Sequence, residues 1–216
     1  MANIQTFENA AQWLKARRSY IGGSDAASIL GLSPWRNNVQ LWEEKTGRRA
    51  PADLEENALV KYGHDAEPLL RALFALDAPE LQVDYKPFNM WTNDRFPWAH
   101  ASLDGWLTDD KGRLGILEIK TATISSGTHA EQWRGRLPDQ YYCQMLHYFA
   151  VTDADFAVIV AQLKFPAADV PHKTTKYIHV ERSECADDIK TLMTAEKAFA
   201  ECIKKDTEPA LELPRI

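Results

Sequence analysis

The chain has 216 residues, of which 45% are hydrophobic, and its formal net charge at pH 7 is −6. This length and apolar content predict one domain with a substantial core, residues 1–216, and are short for two domains. The acidic balance counts against a generic nucleic-acid binder, because unspecific affinity for DNA comes mostly from lysine and arginine side chains. That objection weakens where acidic residues hold divalent cations and where the basic residues line one channel.

Cysteine usage indicates a reducing compartment. Cys143, Cys185 and Cys202 are an odd number without close spacing, so a disulfide framework is not indicated, and three thiolates are too few for a four-cysteine zinc or iron–sulfur site. No apolar run approaches the roughly 20 residues of a membrane helix, and the first ten residues lack the pattern of a signal peptide. We therefore expect a cytoplasmic protein without membrane contacts.

The N-terminal part predicts short helices separated by glycine turns. Residues 9–18 have the apolar spacing of an amphipathic helix. The glycine pair at 22 and 23 precedes a Ser24-Asp25 helix start, and Gly31 ends that short helix. A further helix is predicted over residues 39–46.

The longest predicted helix covers residues 55–76 and carries Pro68, which we expect to kink or divide it. Its apolar residues recur at helical spacing, so we expect them to be buried. This stripe consists of Leu59, Tyr62, Ala66, Leu69, Leu70, Leu73 and Phe74.

Two strands, residues 81–85 and 88–92, lead to a hairpin within residues 100–122. In the second strand of the hairpin, alternation places Glu118 and Lys120 on one face and the neighbouring apolar residues on the other. The turn at residues 109–112 reverses the chain and is expected to bring Asp104 beside Glu118.

Two carboxylates and an ammonium group in this arrangement suit metal-assisted phosphate chemistry. Mg²⁺ prefers oxygen ligands and commonly takes one or two protein carboxylates with water and a substrate phosphate, so Asp104 and Glu118 fit one or two such ions, with Mn²⁺ as a substitute. Lys120 fits a group that holds or deprotonates the attacking water or neutralises charge on the phosphate. The alternative is a solvated strand face with a cross-strand charge pair.

The remaining pattern predicts a helix over residues 139–151, two strands over 155–163 and 176–181, and a last helix over 184–205 that Ser183 caps. Gln140, Gln144 and His147 recur on one side of the first of these helices, and we expect that side to face the site. The order of elements predicts an α/β or α+β fold, with a central mixed sheet flanked by helices.

Several motifs in this chain resemble those of a known superfamily. Asp104, the triplet Glu118-Ile119-Lys120 and Gln144 resemble the PD-(D/E)XK nuclease motif, although the proline is missing here. More narrowly, RRSYIGGSDAASILGLSPWRNNVQLWEEKTGR, residues 17–48, resembles the YqaJ branch, which includes the phage lambda-type exonuclease. The resemblance runs from about Trp13 to Tyr148, and its parts follow the family's order.

This resemblance implies a restriction-endonuclease-like core and a set of site residues. Asp104, Glu118 and the backbone carbonyl of Ile119 would be metal ligands, and Gln144 would orient water or Lys120. Glu67, which ends a Gly-x-x-x-Glu motif, would be a third acidic residue of the site; an exposed helix glutamate is the alternative.

The resemblance further implies that Arg17, Ser24 and Ser102 hold the 5′-terminal phosphate of DNA, where an ordinary helix cap after a glycine turn is the alternative. A second phosphate-binding arginine would fall near Ser126, but none occurs before Arg134, so the sequence departs from the lambda-type pattern there.

Further candidate DNA contacts are Trp35, Arg36, Arg134 and Arg136. An aromatic ring can stack on a base, but large rings are more often core residues, and charged runs are commonly only solvated.

By resemblance the chain is a 5′-to-3′ exonuclease that digests one strand of linear double-stranded DNA and leaves a 3′ single-stranded tail for recombination. The implied partners are double-stranded DNA ends, a homotrimeric ring of this chain, and a single-strand annealing protein from the same phage or prophage, in a bacterial cytoplasm. Two alternatives stay open: a structure- or end-specific endonuclease on the same core, and a non-catalytic DNA-binding recruitment module.

Overall fold

The computed structural model describes residues 1–54, 56–166, 168 and 170–213. The helices are α1 Ala10–Arg18, α2 Gly23–Ile29, α3 Asn38–Lys45, α4 Ala58–Asp77, α5 Gly127–Gln132, α6 Asp139–Thr152 and α7 Ala186–Lys204. The strands are β1 Ala2–Thr6, β2 Ile21–Gly22, β3 Gln82–Asp84, β4 Asn89–Asn93, β5 Ala99–Ala101, β6 Gly105–Thr108, β7 Leu114–Thr123, β8 Phe156–Phe165 and β9 His172–Glu181.

The strands form two sheets. The larger has the order β3-β6-β7-β8-β9, in which β7 and β8 are parallel and the other neighbours are antiparallel. Parallel strands need a crossover connection, and here the chain between β7 and β8 contains α6. The smaller sheet has the order β1-β4-β5-β2. The predicted α/β fold class with mixed sheets and flanking helices is confirmed, although the strands divide between two sheets and not one.

Strand β7 lies at the centre of the larger sheet and is covered on both faces. Leu117 and Ile119 pack in one apolar cluster with α4, whereas Ile116 belongs to a second cluster with α6 and α7. The predicted apolar face with Leu117 and Ile119 is buried, and the opposite face, which carries Glu118, is buried as well. As a result, the Glu118 side chain, on the α6 face, is buried with the residue only 3% exposed.

Helix α4 runs continuously through Pro68, so the proline does not divide it. Ala66, Leu70 and Phe74 are its buried residues, and they recur every four positions. The wider stripe predicted from the sequence was wrong, because Leu59, Leu69 and Leu73 are exposed at 59%, 71% and 43%. A helix that packs on a sheet buries only a narrow row of its side chains, and the adjacent row of leucines on α4 faces outward.

Other departures concern the ends of the chain. Strand β1 was not predicted; its five residues are mostly exposed and give no alternating pattern. A short 3-10 turn, Arg182–Cys185, precedes α7, and Cys185 occupies the N-cap position, so the predicted cap at Ser183 was wrong. No helix within the described part of the chain is both long and apolar enough to cross a membrane.

Candidate active site

The site begins where β6 ends against β7. The last pair of this antiparallel ladder is Gly105 with Leu117, and Asp104 lies one residue beyond it. There the Asp104 side chain replaces a strand partner, because the Ile119 backbone N–H donates to Asp104 Oδ2 at 2.8 Å. The predicted approach of Asp104 to the Glu118 segment is thus present in the structure.

Glu118 is the centre of a short hydrogen-bond network. Lys120 Nζ donates to Glu118 Oε1 at 2.5 Å, and Gln144 Nε2 of α6 donates to the same oxygen at 2.8 Å. The other oxygen, Glu118 Oε2, is buried and has no hydrogen-bond partner among the described residues. Because an unsatisfied buried carboxylate oxygen is costly, this atom is available to a ligand that enters the site.

The electrostatics of the site are those of crowded carboxylates. Burial, then repulsion from Glu118 and Glu67, raises the pKa of Asp104 well above its ordinary value. Burial also raises the pKa of Glu118, although Lys120 and Gln144 stabilise its charged form. Burial alone would lower the pKa of Lys120, but Glu118 and Asp104 attract the ammonium and raise it. Additional positive charge would therefore stabilise the ionised carboxylates.

Glu67 reaches this neighbourhood from α4, as its effect on both carboxylates shows. Its carboxylate is paired with Arg71, whose Nη1 lies 3.1 Å from Glu67 Oε1. The same Arg71 nitrogen donates to the backbone carbonyl of Asp104, and its guanidinium stacks over Tyr85, with Cζ 3.5 Å from the ring centroid. Arg71 therefore ties Glu67 to the Asp104 segment.

The donor set fits Mg²⁺. Within residues 1–54, 56–166, 168 and 170–213, no group of three or more His, Cys, Asp and Glu side chains is placed to hold a metal ion. Mg²⁺ does not need such a group, because it is usually bound through one or two carboxylates with water and substrate phosphates. Asp104 and the unpartnered oxygen of Glu118 supply hard oxygen ligands of that kind.

A second group of residues adjoins the carboxylates through Tyr148. The Tyr148 hydroxyl accepts from Gln144 Nε2 at 2.8 Å and donates to the Ser102 carbonyl at 3.0 Å. Gly23, the first residue of α2, packs against the same ring so closely that a Cβ there would lie 2.5 Å from Tyr148 Cε1.

Arg17 belongs to this second group. Burial lowers the pKa of its guanidinium, while Tyr148 and Asp25 are near enough to act against that effect. Its Cζ lies 4.1 Å from the centroid of the Trp13 ring.

The other predicted phosphate contacts lie along the same elements. Ser24 is exposed on α2 directly after Gly23. The Ser102 hydroxyl is buried and has no hydrogen-bond partner among the described residues. The structure therefore places Arg17 and Ser102 around Tyr148 and puts Ser24 at the adjacent surface; their predicted contact with phosphate stays a prediction.

The predicted DNA contacts differ in their surroundings. Trp35 is 69% exposed, and its ring centroid lies 6.4 Å from that of Tyr141, whose ring is 5.0 Å from Lys120 Nζ. Arg36, in contrast, is half-buried, with one nitrogen 2.5 Å from Asp25 Oδ1 and another paired with Glu44. Trp35 is thus accessible beside the site, whereas the Arg36 guanidinium already has two carboxylate partners.

Arg134 and Arg136 follow α5, Gly127–Gln132, in a polar segment of the chain. Both side chains are largely exposed and pair with acidic neighbours in sequence, Glu131 at 3.2 Å and Asp139 at 3.9 Å. Their predicted role in DNA binding is not tested by this placement.

The expectation that His147 faces the site with Gln144 was wrong. The His147 ring is completely buried, with Nδ1 2.7 Å from Glu196 Oε1 of α7 and Nε2 2.8 Å from the His100 carbonyl. It joins α6 to α7 and β5 instead.

Sequence reasoning missed Arg71, Tyr141 and Tyr148. Arg71 lies four residues after Glu67 on α4, a spacing that indicates an ion pair on a helix and was available as a signal. Tyr148 lies four residues after Gln144, the same helical spacing. Nothing in the local sequence indicates that Tyr141 lies beside Lys120.

The α/β layers, and the β6–β7 pair that brings Asp104 to the strand of Glu118 and Lys120, agree with the fold expected of a PD-(D/E)XK core. The chain belongs to the family described as the YqaJ-like viral recombinase domain, whose model matches residues 12–155. The uncharacterized protein YqaJ of Bacillus subtilis is 29% identical over 160 residues, which cover 71% of this chain. The matched region covers only 47% of that relative, so the chain spans about half its length.

Two solved structures have the same fold. The alkaline exonuclease LHK-Exo from Laribacter hongkongensis matches with a TM-score of 0.63 at 21% identity, over 91% of this chain and 95% of that one. A phage-related exonuclease from Haemophilus somnus matches with a TM-score of 0.56 at 15% identity, over 87% and 96% of the two chains.

Proposed function

We propose that this protein is a Mg²⁺-dependent exonuclease that digests one strand of linear double-stranded DNA from its 5′ end and leaves a 3′ single-stranded tail. The observation that carries the proposal is the convergence of Asp104, Glu118 and Lys120 at one buried position. Membership of a viral recombinase family and a fold similar to that of alkaline exonucleases support a DNA exonuclease role.

Each side chain of the site has a separate task in this proposal. Asp104 and Glu118 would hold the metal, with the Ile119 carbonyl as a further oxygen ligand. A bound Mg²⁺ supplies Lewis-acid stabilisation of the phosphate and of the departing oxygen. Lys120 holds the attacking water and neutralises charge that builds on the phosphate. Gln144 fixes Glu118 Oε1 by donating a hydrogen bond to it, and a neutral amide does so without competing for metal.

Arg17 supports the proposed 5′ polarity. It is a cation close to Tyr148, and Gln144 links that residue to Glu118, so a terminal phosphate bound by Arg17 would lie beside the carboxylates. Ser24 and Ser102 would complete the phosphate contacts. The missing arginine near Ser126 leaves Arg17 as the main cation in this role.

The proposal includes partners by resemblance to the lambda-type exonucleases. A homotrimeric ring around DNA would give processivity, and a single-strand annealing protein would take up the 3′ tail in a bacterial cytoplasm. The oligomeric state follows from measuring the mass of the purified protein in solution.

The decisive experiment compares linear duplex DNA with covalently closed circular DNA, each with Mg²⁺ and with EDTA. An exonuclease digests only the linear form and only with metal, whereas digestion of the circle would show an endonuclease.

A variant then tests the site. Lys120→Ala should slow digestion by at least about 100-fold, a typical loss when a group that stabilises transition-state charge is removed. Lys111→Ala, which removes an exposed lysine from the turn of the same hairpin, is the control and should keep the rate. Equal rates for the two variants would refute the assignment of Lys120.

A further inference from the structure

Two lysines on the neighbouring strands β8 and β9 have no carboxylate partner among the residues that the structure describes. Lys164 of β8 and Lys173 of β9 are directly opposite each other in the antiparallel ladder. Like charges in directly opposed positions destabilise a sheet. Neither ammonium group forms an ion pair with a carboxylate anywhere in the part of the chain that the structure describes.

The two ammonium groups share one aromatic ring. Lys164 Nζ lies 3.7 Å and Lys173 Nζ 5.2 Å from the centroid of Tyr62, and Lys173 Nζ also donates to the Tyr62 hydroxyl at 3.2 Å. The hydroxyl in turn donates to Gln162 Oε1 of β8. A cation over a ring face is attracted by it, so the ring holds both charges in place. The result is a fixed dicationic patch, which we call the Tyr62 patch: Tyr62, Lys164 and Lys173.

The Tyr62 patch adjoins β7, the strand that carries Glu118 and Lys120. Gln162 pairs with Thr121, the residue after Lys120, and Lys164 pairs with Thr123. Helix α4 contacts β7 here, because a Cβ on Gly63, next to Tyr62, would lie 3.5 Å from Thr121 Oγ1, an ordinary contact distance. Side chains alternate along β7, so Thr121 and Thr123 lie on the α4 face of the sheet with the patch. The Lys120 side chain lies on the opposite face, towards α6.

We propose that the Tyr62 patch is a binding site for the sugar–phosphate backbone of DNA on the α4 side of the larger sheet. The inference rests on the proposed function and deepens it. A phosphodiester is an anion that accepts from two ammonium groups and removes their mutual repulsion. Contacts to phosphate position the backbone and carry no base information, so the proposed binding is independent of DNA sequence.

The test is the salt dependence of binding in EDTA, where cleavage does not interfere. A 5′-phosphorylated duplex is titrated with wild-type protein and with the double variant Lys164→Gln/Lys173→Gln over a range of KCl concentrations. Each phosphate contact contributes about 0.7 to 0.9 to the slope of log K against log salt concentration, so the loss of two contacts should flatten the slope by about 1.4 to 1.8. Lys164→Arg/Lys173→Arg should keep the wild-type slope.

Lys190→Gln/Lys197→Gln is the matched control, since both lysines are exposed on α7 and should leave the slope unchanged. Hydrolysis of a small substrate, thymidine 5′-p-nitrophenyl phosphate, should be equal in wild type and the Lys164→Gln/Lys173→Gln variant, because that substrate does not reach the patch. Thermal unfolding of this variant should occur at the same or a higher temperature, because a like-charge pair is removed.

An unchanged slope for Lys164→Gln/Lys173→Gln, or an equal loss for the α7 control, would overturn the site. Failure of the proposed function would give a different result from failure of this site. If the protein is not a nuclease, the wild type leaves linear DNA intact with Mg²⁺, but the slope of log K against log salt concentration still differs between wild type and Lys164→Gln/Lys173→Gln.

Discussion

The contact between Gly23 and Tyr148 predicts that a single methyl group added on α2 impairs the candidate active site. In Gly23→Ala the new Cβ would lie 2.5 Å from Tyr148 Cε1 and 3.0 Å from Gln144 Cγ. The ring cannot move freely, because its hydroxyl is bonded to Gln144 and to the Ser102 carbonyl. Since Gln144 also donates to Glu118, the displacement should reach the Glu118 carboxylate.

The magnitude follows from the cost of overpacking a buried contact, typically about 1 to 3 kcal/mol. For a domain of this size each kcal/mol lowers Tm by about 2 to 4 °C, so the expected decrease is about 2 to 12 °C. Misplacing a positioned group by about 1 Å costs on the order of 100-fold in rate, and we expect a loss of DNA digestion of that order. Thermal unfolding and digestion of linear duplex measure the two effects.

Gly63→Ala is the matched control. This glycine lies inside α4, and its added Cβ would meet Thr121 Oγ1 at 3.5 Å, an ordinary contact. Alanine in a helix interior is favoured over glycine by roughly 0.5 to 1 kcal/mol, so Tm should rise slightly with activity retained. If Gly23→Ala instead keeps both Tm and digestion rate, the contact between α2 and the Tyr148–Gln144 pair does not position the site.

Two further variants test other parts of the structure. Arg17→Ala should weaken the preference for 5′-phosphorylated over 5′-hydroxyl ends. Expressed as a difference in activation free energy, the preference should fall by about 1.5 to 3 kcal/mol, the value of one charge-assisted contact. An unchanged preference would remove Arg17 from the phosphate site. Glu196→Ala should destabilise the fold by about 3 to 5 kcal/mol, because it leaves His147 buried without its partner. Burial disfavours the charged ring of His147, but attraction to Glu196 raises the pKa of His147 above its ordinary value of 6.5. The ionic pair therefore stabilises the fold fully below pH 6.5, and this stabilisation is lost as the pH rises through the pKa of the folded state. Urea unfolding at about pH 6 and about pH 9 should show the larger loss at the lower pH, and equal losses would refute the ionic contribution.

The adjacency of Asp104 and Glu118 was predictable because it depends on local structure. A glycine-containing turn and strand alternation fix which residues of a hairpin meet, and only the short β6–β7 loop separates the two strands. The α1 and α2 helix ends followed equally local signals: Asn9 caps α1 through the Gln12 N–H, and Gly31 after α2 has a φ of 69°.

The exposure of α4 was not predictable in the same way. Apolar spacing identifies a helix but does not say how much of its circumference a sheet covers, and the stripe through Leu69 and Leu73 remained outside. The second sheet was missed for a related reason, since β1 pairs with β4, more than 80 residues later, and its own residues carry no alternating pattern.

The amino-acid sequence thus determined the class of fold, the hairpin with its two carboxylates and lysine, and the family to which the chain belongs. Only the tertiary structure placed Tyr148 under Gly23, Arg71 between Glu67 and the Asp104 carbonyl, and Lys164 opposite Lys173 over Tyr62. Strand alternation and turn chemistry act over a few residues, whereas these contacts join elements that are distant along the chain. They form only when the apolar faces of α4, α6 and the larger sheet pack together, and no local pattern encodes which side chains then meet.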